Sequence, residues 1–238
     1  MTVAVTAILL AGARPIPDPL AVAAGVAVKP LVPVGGEPMI NRPARALLDH
    51  PAIGDVIILT QRPDLFAADP ATAWLAEHPR VRFEQGGQGI AASLLDLMAR
   101  GVANYPLLLT TADHVLLDRA MLDQFVAEAQ GADIAVAMVE RATLLARYPG
   151  SRRTWLKFRD GWWSGANIFW FGSDKKERLL RQLAPDIDLK TNAYNTEAIF
   201  KADKNYRADI VETELHWITP ELVEAYRYAG IELMLFAV

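Results

Sequence analysis

Two charged residues of this chain stand where catalytic groups are commonly found, beside or just after apolar runs. Lys29 precedes the short apolar stretch Pro30–Val34, and Asp113 follows the apolar run Leu107–Leu109 and two threonines. In open α/β sheets ligands bind at the carboxyl ends of strands. A carboxylate in that place can hold a divalent cation that bridges phosphate oxygens, and a lysine nearby can supply positive charge. A turn or N-cap aspartate is the alternative interpretation of Asp113, and its neighbour His114 is interpreted as a surface-loop residue.

The first apolar run, Val3–Leu10, leads directly into a loop that could bind phosphate. A buried strand that ends in a glycine-bearing loop can bring backbone N–H groups up to a phosphate. The loop matches neither the P-loop pattern nor the dinucleotide pattern G-x-G-x-x-G, and a loop without a ligand is the alternative. The candidate nucleotide-binding positions of this loop are Ala11, Gly12, Ala13 and Arg14.

A second glycine-rich turn, residues 86–89, precedes a predicted helix that contains Ser93. Gly87 lets the backbone approach a planar or anionic group closely, and the Ser93 hydroxyl could bind a base or a phosphate. A flexible turn between a strand and a helix is the alternative interpretation.

A polar cluster later in the chain is suited to an acceptor molecule. Asn167, in the sequence Ser-Gly-Ala-Asn, offers a donor and an acceptor to an alcohol or sugar, and its neighbouring glycine indicates a bulge or a close approach. Arg152, Arg153 and Lys157 could meet a phosphorylated substrate, or they could form a solvated basic edge.

The composition limits the function classes. The chain has 238 residues and is 52% hydrophobic, a composition that predicts a globular protein. Its net charge of −4 argues against the broad basic surface of a nucleic-acid-binding protein. It contains no cysteine, which excludes disulfides, thiolate metal sites and cysteine nucleophiles and is consistent with a cytoplasmic location. No apolar run reaches the roughly 18–20 residues of a membrane span, and residues 3–13 are interpreted as a strand rather than a signal peptide.

The elements that must position these residues alternate between strand and helix patterns, which indicates a mainly parallel sheet with right-handed crossovers. An Asp-Gly turn at 160–161 then predicts a β-hairpin. The sequence predicts strands at 3–10, 55–60, 81–84, 105–111 and 133–139, helices at 38–48, 71–77, 90–102 and 118–129, with Asp118 as an N-cap, and hairpin strands at 153–158 and 162–171. After residue 172 it predicts helices at 174–184 and 219–229 and strands at 186–190 and 231–237.

The order of these parts resembles the MobA-like NTP transferases over residues 1–171. The resemblance depends on the opening Ala-Gly-x-Arg loop, the segment Lys29–Met39, the glycine-rich turn with Ser93, the strand ending in Asp113 and the strand with Asn167. It implies a three-layer α/β/α fold with a mainly parallel, Rossmann-like (GT-A-like) sheet and an inserted β-hairpin.

The resemblance also implies an activity, the Mg²⁺-dependent transfer of a nucleotidyl group from an NTP to a phosphorylated sugar or alcohol, with CTP or GTP favoured. Gly12, Ala13 and Arg14 would cradle the triphosphate, and Lys29 would neutralise charge on the α-phosphate. The implied roles of the remaining residues are as follows: Ala11, Gly87 and Ser93 at the nucleotide, Asp113 on Mg²⁺, and Asn167 and Lys157 at the acceptor.

Two departures from the family pattern are present, and the second of them favours another hypothesis, a catalytically impaired nucleotide-binding module. The opening loop has prolines where the family usually has glycines, and only Asp186 and Asp188 are similar to the family's second metal-binding motif. Residues 172–238 form a divergent C-terminal segment that is expected to pack on the same domain and that weakly resembles the end of a glycerophosphodiester phosphodiesterase barrel. It lacks that family's active-site motifs, so no hydrolase activity is assigned to it. A homodimer is a further expectation.

Overall fold

A computed structural model describes residues 4–12, 18–87, 89–158 and 160–173, and the backbone of residues 234–237. Within these residues the chain forms an eight-stranded sheet and a separate two-stranded ribbon. The sheet strands are β1 (Val5–Leu10), β4 (Ile53–Thr60), β5 (Val81–Gln85), β6 (Leu107–Thr111), β7 (Ile134–Glu140), β8 (Leu156–Phe158), β9 (Gly161–Phe171) and β10 (Met234–Ala237), and the ribbon strands are β2 (Pro33–Val34) and β3 (Glu37–Pro38).

The strand order in the sheet is β10-β7-β9-β6-β1-β4-β5, with β8 paired to β9. β6, β1, β4 and β5 are parallel neighbours, so their carboxyl ends lie in a row at one edge of the sheet. β9 runs antiparallel between β6 and β7. The predicted mainly parallel sheet is therefore confirmed.

Helices cover both faces of this sheet. The helices are α1 (Pro19–Ala24), α2 (Asn41–Asp49), α3 (Pro63–Ala68), α4 (Ala73–Glu77), α5 (Ile90–Ala99), α6 (Arg119–Ala129) and α7 (Arg141–Arg147), and a 3₁₀ turn spans Lys29–Leu31. The sequence pattern predicted α2, α4, α5 and α6 but not α1, α3 and α7, which are short. The Asp118 N-cap is confirmed, because its carboxylate accepts a hydrogen bond from the Met121 backbone N–H at 2.9 Å.

Alternate residues of β1 enter two different hydrophobic clusters. Ala7 and Leu9 pack with α2, α4 and α6, whereas Ile8 packs with α5 on the opposite face. All three side chains are fully buried. A strand buried on both faces explains the continuous apolar run in the sequence and gives the predicted three-layer arrangement.

The hairpin is present at the predicted turn, since Lys157 pairs with Trp162 and Phe158 with Gly161. Its second strand is not peripheral, however, because β9 continues into the middle of the main sheet. The pairing of β9 with β7 shifts register between Val136 and Met138, and Asn167 lies within this irregularity at φ = 55°. A bulge bends its strand and redirects a side chain, and the Asn167 side chain contacts Thr111 at the end of β6.

The last described strand, β10, pairs in parallel with β7, so this part of the C-terminal segment belongs to the same sheet. The predicted helices 174–184 and 219–229, strand 186–190 and the start of strand 231–237 lie outside the described residues. Among the helices of the described ranges, none is long and apolar enough to cross a membrane.

Candidate active site

A cavity of about 530 Å³ opens at the carboxyl ends of β1, β4, β5 and β6. This is the edge at which open α/β sheets bind ligands. The residues that line it and that the following paragraphs use are Gly12, Lys29, Gln61, Gly86, Gly87, Ser93, Thr111 and Asp113. Five of these were predicted from the sequence, namely Gly12, Lys29, Gly87, Ser93 and Asp113.

The charged centre of the cavity is an ion pair between the Nζ of Lys29 and the Oδ2 of Asp113. Lys29 is the first residue of the 3₁₀ turn, and the next two residues, Pro30 and Leu31, are buried and anchor that turn. Both charged side chains are about one-third exposed, at 33% and 34%. The pair is therefore partly desolvated yet open to a ligand from the cavity.

Asp113 is held by a second hydrogen bond, which the Thr111 hydroxyl donates to Oδ1 at 2.6 Å. Burial of the carboxyl raises its pKa, but the hydrogen bonds from Lys29 and Thr111 and the charge of Lys29 outweigh this effect. The pKa of Asp113 consequently lies below the usual aspartate range, and the group is ionised at neutral pH.

Asn167 is linked to Asp113 through hydrogen bonds that involve Thr111. Its Nδ2 donates to the Thr111 Oγ1 at 3.3 Å, and its backbone carbonyl accepts from the Thr110 hydroxyl at 2.9 Å. Asn167 is not among the residues that line the cavity, but it contacts one that does. The bulge in β9 thus connects to Asp113 by two consecutive hydrogen bonds, from Asn167 to Thr111 and from Thr111 to Asp113.

The glycine-rich turn is organised by Ser93. The Ser93 hydroxyl accepts a hydrogen bond from the Gly87 N–H at 2.8 Å and donates to the Gly89 carbonyl at 2.6 Å. The side chain is 5% exposed, so its main contacts are with its own loop. In this structure Ser93 shapes the turn that precedes α5 and also lines the cavity, and the nucleotide contact expected from the sequence stays a prediction.

Gln61 is a cavity residue that sequence analysis did not single out. It directly follows β4, and its amide lies beside two glycines, since a Cβ on Gly12 or Gly86 would come within 3.3 Å or 3.1 Å of it. The signal that could have found it is its place at the carboxyl end of a predicted strand, the criterion that selected Asp113.

The other predicted residues are outside the cavity wall or outside the described residues. Ala11 is buried, and its N–H donates to the Leu59 carbonyl, while Ala13 and Arg14 lie outside the described residues. Lys157 is exposed on β8, with its Nζ 5.8 Å from the centroid of the Trp162 ring.

The basic residues before β8 are not among those that line the cavity. The Arg153 guanidinium donates to the Gly165 carbonyl at 2.7 Å, and Arg152 is exposed.

His114 contacts Thr110, with 3.3 Å between Nδ1 and Oγ1. Burial lowers the pKa of His114 more than the Asp113 charge raises it, so this imidazole is neutral at pH 7.

The donor set was tested for its fit to Mg²⁺. Within the described ranges, no group of three or more acidic or histidine side chains could enclose a metal ion. Mg²⁺ is commonly bound by one or two carboxylates, with substrate phosphates and waters as its other ligands. Asp113 lines the cavity and supplies one such carboxylate, so the residues present fit a Mg²⁺ that arrives with phosphates. Asp186 and Asp188 lie outside the described residues.

Sequence comparison identifies a family for most of the chain. A model of the MobA-like NTP transferase domain matches residues 23–184. The match begins before Lys29 and continues past the 171 boundary predicted from the sequence. A search of curated protein sequences gives no significant match.

Solved structures of nucleotidyltransferases share the fold. A hypothetical transferase from Thermus thermophilus is 21% identical with a TM-score of 0.62, and 99% of this chain and 93% of that chain are covered. A 4-diphosphocytidyl-2C-methyl-D-erythritol synthase from Anaerococcus prevotii is 11% identical with a TM-score of 0.57, and 96% of this chain and 97% of that chain are covered. A CMP:2-keto-3-deoxy-manno-octonic acid synthetase complexed with CTP is 14% identical with a TM-score of 0.58, and 99% of this chain and 90% of that chain are covered. These matches give no support for the expected likeness of residues 172–238 to a phosphodiesterase barrel.

Proposed function

Because this chain belongs to the MobA-like NTP transferase family, we propose that it transfers an NMP group from an NTP to a phosphorylated sugar or alcohol and releases pyrophosphate. CTP and GTP are the donors that we favour. Two of the structural neighbours carry cytidylyl names, which is consistent with CTP, but they share only the fold with this chain.

The observation that carries this proposal is the Lys29–Asp113 ion pair in a cavity edged by glycine backbone. A cation and a carboxylate side by side can bind a triphosphate and its counter-cation, whereas a hydrolytic triad would require a nucleophile beside a base. The glycines at 12 and 87 leave backbone accessible on the same cavity wall. A volume of about 530 Å³ is within the usual range for small-molecule sites.

The proposed chemistry is an in-line displacement at the α-phosphorus. An oxygen of the acceptor phosphate forms a bond to the α-phosphorus, and the bond from that phosphorus to the bridging oxygen of the β-phosphate breaks. Pyrophosphate leaves with the electron pair. The nucleophile is already an anion, so no general base is required, and catalysis consists of positioning and electrostatic stabilisation.

In this assignment Lys29 stabilises the negative charge that develops around the α-phosphate, since its Nζ is at the cavity wall and already interacts with an anionic oxygen. Asp113, with Thr111 fixing one of its oxygens, would hold Mg²⁺. When bound, Mg²⁺ neutralises phosphate charge and orients the reacting oxygens. Arg14 and Ala13 are proposed to complete the triphosphate loop.

The acceptor is proposed to approach from the β9 side. Asn167 lies next to Thr111, so an acceptor that contacts this amide would bring its phosphate close to Asp113. Lys157 lies farther along the hairpin and would meet only an acceptor that extends beyond the cavity. The hairpin is therefore the expected determinant of acceptor choice.

A two-stage experiment tests the proposal. The melting temperature is first measured with CTP, GTP, UTP and ATP in Mg²⁺, because a ligand that binds the native state raises it. Pyrophosphate release is then measured for the binding NTPs with a panel of sugar and alcohol phosphates. We expect acceptor-dependent release with at least one pair. NTP binding without turnover across the panel would instead identify the impaired binding module, and no binding of any NTP would refute both.

A further inference from the structure

The amide of Gln61 occupies space that two glycines leave open. A Cβ on Gly12 would lie 3.3 Å from Gln61 Oε1, and a Cβ on Gly86 would lie 3.1 Å from Gln61 Nε2. Neither glycine has a left-handed backbone, so neither is required by its φ angle. A side chain at either position would crowd the Gln61 amide, which explains why both positions are glycine. The amide therefore lies between the loop that contains Gly12 and the loop that contains Gly86.

The segment around Gln61 is anchored on both sides. The Gln85 side chain donates to the Gln61 carbonyl at 3.3 Å, and the Arg62 N–H donates to the Thr60 hydroxyl at 3.2 Å. Thr60 itself is buried at the end of β4. The backbone that carries the Gln61 amide is therefore fixed beside the cavity. A side chain on a fixed backbone can make a selective contact, whereas a glutamine on a mobile surface segment cannot.

The strand order gives the distance between Gln61 and the ion pair. Asp113 follows β6 and Gln61 follows β4, with β1 between them. Neighbouring strands are about 4.8 Å apart, so the two sites are separated by about 10 Å along the sheet edge. That is the scale of a nucleoside. With the phosphates at Lys29 and Asp113, the base would lie over the ends of β4 and β5.

We propose that the Gln61 amide hydrogen-bonds the nucleobase and determines which NTP this protein prefers. The inference rests on the proposed nucleotidyl transfer and deepens it by assigning the base-selecting residue. A primary amide presents a donor and an acceptor side by side, and the order of donor and acceptor along the edge differs between nucleobases. With Oε1 on the Gly12 side and Nε2 on the Gly86 side, the Gln61 amide is held in one orientation and therefore favours one order. A well-formed two-point contact of this kind discriminates between bases by roughly 5- to 150-fold.

The test measures Kd for CTP, GTP, UTP and ATP in Mg²⁺ for the wild-type protein, Gln61→Leu and Gln61→Glu. We expect Gln61→Leu to weaken the preferred NTP by about tenfold or more relative to the others. Gln61→Glu can only accept hydrogen bonds, so preference should move towards GTP, whose guanine edge presents two neighbouring donors. Gln124→Leu makes the same chemical change on α6, outside the cavity, and should leave all four affinities unchanged.

Gly86→Ala supplies a second variant that leaves Gln61 intact. The added Cβ would push the amide away, so the ratio of affinities should change in the same direction as in Gln61→Leu. Equal weakening of all four NTPs in the Gln61 variants, with melting temperatures unchanged, would overturn the proposal. Pyrophosphate release is scored separately, so a wild-type protein that binds NTPs selectively without turnover refutes the transfer reaction and not the base contact. A wild-type protein that binds none refutes both.

Discussion

Lys29 and Asp113 are 84 positions apart in the chain, and their side chains form an ion pair at the wall of one cavity. Each group offsets part of the cost of removing the other from water. Because both stay about one-third exposed, the pair contributes little to folding, about 1 kcal/mol or less. Its main consequence is a preorganised pair of charges where a triphosphate is proposed to bind.

Replacement of Lys29 tests the proposed stabilisation of charge at the α-phosphate. Lys29→Ala is expected to lower kcat/KM for pyrophosphate release by about 10²–10³-fold, since it removes one electrostatic contact that strengthens in the transition state. Lys29→Arg keeps the charge and should retain more activity. Arg82→Ala, which removes an exposed cation on β5, is the matched control and should be active. Full activity of Lys29→Ala would refute the assignment.

Asp113→Asn tests the proposed metal ligand. The amide keeps the size of the side chain but loses the charge, so the Mg²⁺ concentration needed for half-maximal NTP binding should rise about tenfold or more. In the wild-type protein, the pKa of Asp113 is lowered overall. The carboxylate should therefore stay ionised, and available to Mg²⁺, on mild acidification from neutral pH. If the response to Mg²⁺ is the same in both proteins, Asp113 is not a ligand.

Asn167 combines a backbone constraint with a side-chain contact, and two substitutions separate them. At φ = 55°, Asn167→Ala should destabilise the fold by about 1–2 kcal/mol, because alanine is unfavourable in the left-handed region. Asn167→Gly fits the backbone but lacks the amide that contacts Thr111. It is expected to keep the melting temperature better than Asn167→Ala while raising KM for the acceptor and leaving KM for the NTP unchanged. A change in KM for the NTP alone would contradict this.

Ser93→Ala is expected to loosen the glycine-rich turn. The substitution leaves the Gly87 N–H and the Gly89 carbonyl without the hydroxyl, and each lost hydrogen bond is worth about 1 kcal/mol. If the turn positions the nucleotide, KM for the NTP should rise while kcat changes less. Denaturant unfolding and steady-state kinetics measure the two effects. An unchanged KM in a destabilised protein would assign Ser93 a purely structural role.

The stability of the protein should decrease on mild acidification. Burial and the charge of Arg119 together lower the pKa of His50 more than the Asp123 carboxylate, 3.1 Å from its Nε2, raises it, and burial likewise lowers the pKa of His114. The unfolded chain then binds more protons below about pH 6.5, so the free energy of unfolding falls as the pH drops towards the lowered folded-state pKa values. Each group contributes at most about 1.4 kcal/mol per pH unit.

Urea unfolding between pH 5 and pH 8 measures this effect. His50→Gln should give a smaller decrease in stability with acidification than the wild-type protein, because glutamine does not titrate. An identical pH dependence in the two proteins would show that His50 makes no contribution.

The sequence predicted the sheet and its functional edge because both depend on local patterns. Apolar runs identified the parallel strands, and the carboxyl-end rule then selected Gly12 and Asp113, which both line the cavity. The same rule applied to the strand at 55–60 would have selected Gln61, but an uncharged residue without a neighbouring motif gave no second signal.

The relations between distant segments could not be predicted in this way. The contact of Lys29 with Asp113 depends on β6 being the neighbour of β1. The contact of Asn167 with Thr111 depends on β9 entering the sheet antiparallel between β6 and β7. No local pattern encodes which strands become neighbours. The direction of the Ser93 hydroxyl, towards its own loop, likewise depends on the final path of the backbone.

The strand order also places the residues proposed to select the base and the residue proposed to contact the acceptor on different parts of the sheet, so the two preferences could be altered independently. Gln61 and Gly86 follow β4 and β5, on one side of β1, whereas Asn167 belongs to β9, on the far side of β6. The segments 53–87 and 161–171 share no strand pairing with each other. Under the proposed assignments, exchanging the β8–β9 hairpin with that of a relative should change the acceptor without changing the base, and exchanging the β4–β5 segment should do the reverse.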